Sequence, residues 1–167
     1  MSKRPISDWN ERYRHISFWW ATVFGAGLLK PAPGTWGSLV AVIAGYYLIN
    51  TGISFTLLSS LIVAITVLSA FAIDHIEKVS GIHDAPEIVI DEVAGQWIAL
   101  LPFYFFTPML YDYMVAFLLF RLFDIWKPWP IGLIDRKVTG GCGVMVDDLV
   151  AGLFAAVVIL AGHVLLF

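Results

Sequence analysis

The sequence predicts an all-α fold, a polytopic membrane helical bundle of about five spans with an N-terminal interfacial or re-entrant helix. Three observations predict it. The 167 residues are 59% hydrophobic and 14% charged, with a mean hydropathy of +0.82. A soluble domain is about 45–50% apolar and about 25% charged, and one this small could not bury the surplus. Apolar runs recur along the chain between short polar or Pro/Gly-rich turns, and the basic residues all fall on one side of these runs. Without an internal repeat or low-complexity stretch, the chain reads as a single domain over residues 1–167.

The polar segment Met1–Arg14 lacks an apolar h-region with a small-residue cleavage site, so no cleaved signal peptide is expected. Ile16–Leu29 is short, aromatic and interrupted by glycine. Trp36–Ile49 follows the turn Pro31-Ala-Pro-Gly-Thr35 and is the first expected span. Ile53–Ile73 is the cleanest, with no charge. Val93–Phe106 and Tyr113–Trp126 flank a turn at Thr107-Pro108, and Leu149–Phe167 closes the chain. A bilayer-crossing helix needs about 20 apolar residues, with a range of roughly 17–25. The shorter runs must borrow flanking residues, thin the bilayer or sit inside the bundle.

Charge orients the spans. The ten Lys and Arg residues occur in the N-terminal segment through Lys30, at Lys78, in Arg121–Lys127 and at Arg136-Lys137. With five spans, the turns near Asn50–Gly52 and Thr107–Asp112 lie outside and carry no Lys or Arg. That is the positive-inside pattern, with an inner N-terminus and an outer C-terminus. Making Ile16–Leu29 a sixth span would put the N-terminal basic cluster outside. The net charge of −3 argues against a nucleic-acid partner. Cys142 is the one cysteine, which excludes an internal disulfide and a cysteine-rich zinc site.

Twelve of the thirteen acidic residues fall on the inner side, with Asp112 outside. Asp91 and Glu92 open the third span, Asp124 closes the fourth, and Asp147 and Asp148 open the fifth. Ionisable groups at the bilayer are expensive and face a partner or a cavity. Carboxylates converging from three helix ends need a cation. Mg²⁺ suits them, because it takes hard oxygen ligands and leaves room for a substrate phosphate. Arg121, one helical turn before Asp124, and Lys127 suit a phosphate clamp. Gly140, Gly141 and Gly143 permit close backbone approach to a phosphate. His83 and Asp84 form a possible accessory pair for proton transfer.

Plainer roles compete with these. Acidic residues at a helix N-terminus meet the helix dipole favourably. Arg121 and Asp124 alone would make a structural ion pair. Lys30 and Lys127 can snorkel, and His83 can sit in a solvated loop. Trp19, Trp20, Trp36, Trp97, Trp126 and Trp129 fit an interfacial aromatic belt. The combination is harder to dismiss than its parts, because three separate helix ends carry it.

At these residues the chain resembles the phosphatidylglycerophosphatase A family. The stretches that carry the resemblance are Lys30-Pro-Ala-Pro-Gly-Thr-Trp-Gly-Ser38, Gly81-Ile-His-Asp84, Ile90-Asp-Glu-Val-Ala-Gly-Gln-Trp97, Phe120-Arg-Leu-Phe-Asp-Ile-Trp-Lys-Pro-Trp-Pro-Ile131 and Asp135-Arg-Lys-Val-Thr-Gly-Gly-Cys-Gly-Val-Met-Val-Asp-Asp148. The resemblance implies a helical, multi-pass enzyme of the bacterial inner membrane with its site on the cytoplasmic face. It implies dependence on Mg²⁺ and removal of the terminal phosphate of phosphatidylglycerophosphate to give phosphatidylglycerol. It matches this chain at Asp91, Glu92, Asp124, Asp147 and Asp148.

Other phosphatase signatures are absent: there is no Asp-x-Asp-x-Thr loop, no Cys-x5-Arg loop and no Pro-Ser-Gly-His stretch. A metal-and-carboxylate mechanism remains, with water or an aspartate attacking. Two rival functions are a small ion-coupled transporter or channel using its carboxylates as a relay, and a non-catalytic scaffold. The gathering of acids at one membrane face speaks against the first, and a scaffold has no need of them.

Overall fold

Helix makes up the regular structure in this computed structural model, which describes residues 4–166, with side chains through residue 165. Residues 1–3 of the polar N-terminal segment, and the last residue of the expected span Leu149–Phe167, lie outside the described residues. Seven α-helices occur there: α1 (Ile16–Ala21), α2 (Pro33–Asn50), α3 (Phe55–Ser80), α4 (Ile90–Leu100), α5 (Leu110–Trp126), α6 (Ile131–Lys137) and α7 (Gly140–Leu166). A 3-10 turn, Leu101–Tyr104, extends α4. Among the described residues, each expected apolar run from Trp36 onward falls mainly within one of the helices α2, α3, α4 with its extension, α5 or α7, with Ile53, Ser54, Phe105 and Phe106 in the flanking turns.

Two helices are long and apolar enough to cross a membrane, α3 and Gly140–Leu165 of α7. At about 1.5 Å per residue each spans roughly 39 Å, more than a hydrocarbon core of about 30 Å. The start of α3 is capped by the Ser54 hydroxyl, which accepts from the Leu57 N–H at 3.2 Å, and Gly81 ends it with φ 66°. Val63, Val67, Leu68 and Phe71 of α3 point outward, as do Met114, Leu118, Leu122 and Ile125 of α5. Such apolar outer faces suit lipid as the surrounding medium.

α4 is the axis of the bundle, packed against α7, α2, α3 and α5. All its residues except Ile98 are buried. Small residues let it sit there. A Cβ at Gly95 would stand 2.5 Å from the Asp148 carbonyl oxygen, and one at Gly152 would strike the Gly95 carbonyl. α4 and α7 therefore cross backbone against backbone, as small residues allow in membrane bundles. On the other flank Gly37 packs on Val89 and Gly45 on Leu100, and Trp97 Nε1 donates to the Ala41 carbonyl at 2.9 Å. Trp97 is thus a buried wedge between α4 and α2 and not part of an aromatic belt, whereas Trp126 and Trp129 are exposed.

Ile16–Leu29 is not a sixth span. The six residues of α1 are followed by Val23, Phe24 and Gly25, all at positive φ, and by a 3-10 turn at Ala26–Leu28. The reversal breaks the run into two pieces, each far too short to cross. α1 packs on α3, with Trp20 Nε1 donating to Ser69 Oγ at 2.9 Å. The polar N-terminal segment contributes to the core as well. Ile6 and Trp9 are buried, and the Ile6 N–H donates to Glu87 Oε2 at 2.9 Å.

Candidate active site

The N-termini of α4 and α7 and the C-terminus of α5 meet at one end of the bundle. Between them lies a cavity of about 570 Å³. Its wall includes Asp91, Glu92, Arg121, Asp124, Lys127, Asp135, Asp147 and Asp148, with Glu77, His83 and Asp84 at another part. The glycine crossing explains the convergence. Because α4 and α7 touch at Gly95 and Gly152, the turns preceding them bring Asp91 and Glu92 beside Asp148. One oxygen-bearing group from each of these three lies within 4.8 Å of the others.

The five carboxylates play different geometric parts. Asp91, Glu92 and Asp148 are nearly buried, and Glu92 Oε2 and Asp148 Oδ2 are buried without a hydrogen-bond partner. Asp124 is held by Arg121, whose NH1 stands 2.6 Å from Asp124 Oδ2 and 3.7 Å from Glu92 Oε1. The same nitrogen donates to Ser38 Oγ at 3.3 Å, while Arg121 Nε is buried and unbonded. Asp147 is held by Lys127, with Nζ 2.5 Å from Oδ2, and its Oδ1 is buried without a partner. Buried like charges repel unless a cation lies among them. Carboxylate oxygens gathered within 4.8 Å are the kind of donor a hard divalent cation takes.

Lys127 has a second partner besides Asp147. Its ammonium also lies 2.5 Å from Asp135 Oδ1. Burial disfavours the charge, but the bonds to Asp135 and Asp147 outweigh it, so Lys127 keeps its proton above the ordinary lysine range. The structure thus gives this cation two carboxylate partners.

The glycines divide. Gly140 and Gly143 line the cavity. Gly141 is not among the lining residues. It faces α3: a Cβ there would collide with the Ala70 carbonyl, and its N–H donates to Asp74 Oδ1 at 2.6 Å. Close helix packing accounts for that glycine. His83 and Asp84 reach the cavity, but both are tied to Glu77: His83 Nδ1 is 3.0 Å from Glu77 Oε2, and the Asp84 N–H donates to Glu77 Oε1 at 3.3 Å. The His83 side chain is 77% exposed, consistent with a rim position rather than a place among the carboxylates.

Several residues escaped the sequence reading. Gly34 is one: a Cβ there would strike Glu92 Oε1 and lie 3.2 Å from both terminal nitrogens of Arg121, so the start of α2 presses on the ion group. Its neighbourhood read as a Pro/Gly turn within a stretch that carries the resemblance, with no site role for the glycine itself. Gln96 is another. It is fully buried one turn beyond Glu92, and neither amide atom is bonded. Its signals were a polar residue inside an apolar run and a place in the stretch Ile90–Trp97 that carries the resemblance. Ile125, on the lining, is 70% exposed on its outer side, so apolar surface runs directly up to the acidic group.

Residues 19–163 match the phosphatidylglycerophosphatase A family. The chain is 37% identical over 145 residues to a phosphatidylglycerophosphatase A of Escherichia coli strain K12, covering 86% of this chain and 81% of that protein. It is 38% identical to a phosphatidylglycerophosphatase A of Haemophilus influenzae, covering 84% and 85%. A Bacteroides thetaiotaomicron protein, provisionally named a phosphatidylinositol-3-phosphatase, is 36% identical, covering 83% and 87%. No solved structure matches the chain.

Proposed function

We propose, from the premise that this chain belongs to the phosphatidylglycerophosphatase A family, that it hydrolyses the terminal phosphate of phosphatidylglycerophosphate to give phosphatidylglycerol. The chain is a phosphatase of that family. The observation that carries the fuller reading is the group formed by Asp91, Glu92 and Asp148, with Arg121 3.7 Å from Glu92 in the same cavity. A lipid phosphomonoester needs an anion-binding centre next to apolar surface, and Ile125 supplies that surface at the cavity edge.

Asp91, Glu92 and Asp148 would hold Mg²⁺, with Asp124 and Asp147 completing the acidic set. The fit rests on the donors: hard oxygens, two of them buried and unbonded, and no histidine or cysteine among the converging groups. When bound, the ion neutralises charge on the phosphoryl group. Arg121 binds the phosphate through its planar fork, and Asp124, at 2.6 Å, orients that fork. Buried packing around the carboxylates keeps bulk water from the charged groups and strengthens their interactions. In the overall reaction the ester P–O bond breaks, water adds to phosphorus, and inorganic phosphate leaves the lipid alcohol.

The same reading makes the protein a five-span inner-membrane enzyme with its site on the cytoplasmic face. The positive-inside pattern supports this, as do the two helices long enough to cross. A transporter relay would need carboxylates strung across the bundle, but these five gather at one end of it.

Purified protein assayed for phosphate release decides the matter. The panel is phosphatidylglycerophosphate, phosphatidic acid and phosphatidylinositol 3-phosphate, each with Mg²⁺ and with EDTA. Preferential, Mg²⁺-dependent release from the first is expected. Equal rates on all three would remove the substrate assignment, and full rates in EDTA would remove the metal.

A further inference from the structure

Lys127 ends α5 in a conformation that side chains resist. Its φ of 47° and ψ of 56° place it in the left-handed region, which helix ends usually give to glycine. Glycine would serve the turn better, so what the position gains from lysine is the side chain. The turn is also a platform for α6, since a Cβ at Gly132 would stand 2.8 Å from the Lys127 carbonyl oxygen. From there Nζ lies 2.5 Å from Asp135 Oδ1 on α6 and 2.5 Å from Asp147 Oδ2 on α7.

Two carboxylates take up two of the three donors of this ammonium. Lysine is a flexible point charge, and a single partner would let it swing toward an incoming anion. Two partners on different helices hold it still. The inner partner, Asp147, is 8% exposed and the outer, Asp135, is 40% exposed. Asp147 uses Oδ2 for this contact and keeps Oδ1 buried and unbonded.

Building on the proposed function, we infer that Asp135 and Lys127 are a positioning pair. Asp135 anchors the ammonium, the ammonium fixes Asp147 Oδ2, and the Asp147 carboxylate is thereby held in one orientation beside the cavity, with Oδ1 buried and unbonded. The substrate phosphate is left to Arg121.

Kinetics of phosphate release from phosphatidylglycerophosphate in detergent micelles test this, using Lys127→Met, Lys127→Arg, Asp135→Asn and the double variant Lys127→Met/Asp135→Asn. Lys127→Met lowers kcat about 10-fold or more and Asp135→Asn about threefold, each with KM within about twofold of wild type. The double variant is no worse than Lys127→Met alone, because Asp135 acts through Lys127. Amine acylation, read by mass spectrometry, modifies Lys127 faster in Asp135→Asn than in wild type. A raised KM at unchanged kcat in Lys127→Met would assign Lys127 to the phosphate and overturn the inference, as would losses that multiply in the double variant. Should Lys127→Met fail to fold, Lys127→Arg and Asp135→Asn carry the same kcat-against-KM comparison. A wild-type protein that releases no phosphate defeats the functional reading instead, and the acylation comparison still judges the pair.

Discussion

Gly95 of α4 and Gly152 of α7 meet so closely that a Cβ on Gly152 would strike the Gly95 carbonyl. That contact lies just beyond Asp91 and Glu92 on one helix and Asp148 on the other. It sets how near the carboxylates come.

Gly152→Ala should therefore damage the site without touching it. The added methyl forces the helices apart or bends one of them, at a cost of about 1–3 kcal/mol. Thermal unfolding in detergent should show a lower Tm, and activity should fall about 10-fold or more as the carboxylates separate. Gly162→Ala is the control, because nothing lies within 4 Å of a Cβ there. Equal activity in the two variants would mean that the crossing does not set the site.

Arg121→Lys keeps the charge but loses the planar fork that meets Asp124 and, on the proposed reading, the phosphate. A loss of about 10-fold or more in kcat/KM is expected, about 1.4 kcal/mol of transition-state stabilisation. Steady-state kinetics on a folded variant measure it. Unchanged kinetics would reduce Arg121 to a structural ion pair.

Removal of the metal is the sharpest test of the acidic group. EDTA should abolish phosphate release and added Mg²⁺ restore it. Asp91→Asn, Glu92→Gln and Asp148→Asn remove charge at nearly constant size. Each should raise the Mg²⁺ concentration for half-maximal rate, since these three oxygens lie within 4.8 Å of one another. Asp124→Asn should instead weaken the hold on Arg121 and lower the rate with a smaller change in Mg²⁺ requirement. Identical Mg²⁺ titrations for all four variants would dissolve this division of labour.

The distribution of the basic residues predicts an orientation in the membrane. Cys142 is exposed and would be replaced by serine first. Single cysteines at Thr51, Thr107 and Thr139 then meet a membrane-impermeant thiol reagent in whole cells. Labelling at Thr51 and Thr107 but not at Thr139 is expected. Labelling at Thr139 would put the acidic end on the outer face, and protection at Thr51 would overturn the five-span order.

The sequence alone determined the helical class, the course of the apolar runs and the acidic residues that gather at one end of the bundle. The reason is energetic. Charges are too costly to leave in hydrocarbon, so Asp91, Glu92, Asp124, Asp147 and Asp148 stand out beside the ends of the apolar runs, although α7 begins two turns before Asp147. Packing partners carry no such signature. Lys127 reads equally as a clamp, a snorkelling cation or an ion-pair member, and the left-handed turn that aims it at Asp135 and Asp147 depends on how α6 docks. Gly141 and Gly143 look alike in a glycine-rich turn, yet one meets α3 and the other the cavity, because helix rotation turns neighbouring positions to different faces. Trp97 resembles its interfacial counterparts until α2 closes over it. Tertiary structure decided which three carboxylates share one space and which two are held by cations. That choice follows from the crossing of α4 and α7, which is set by contacts between residues 57 positions apart.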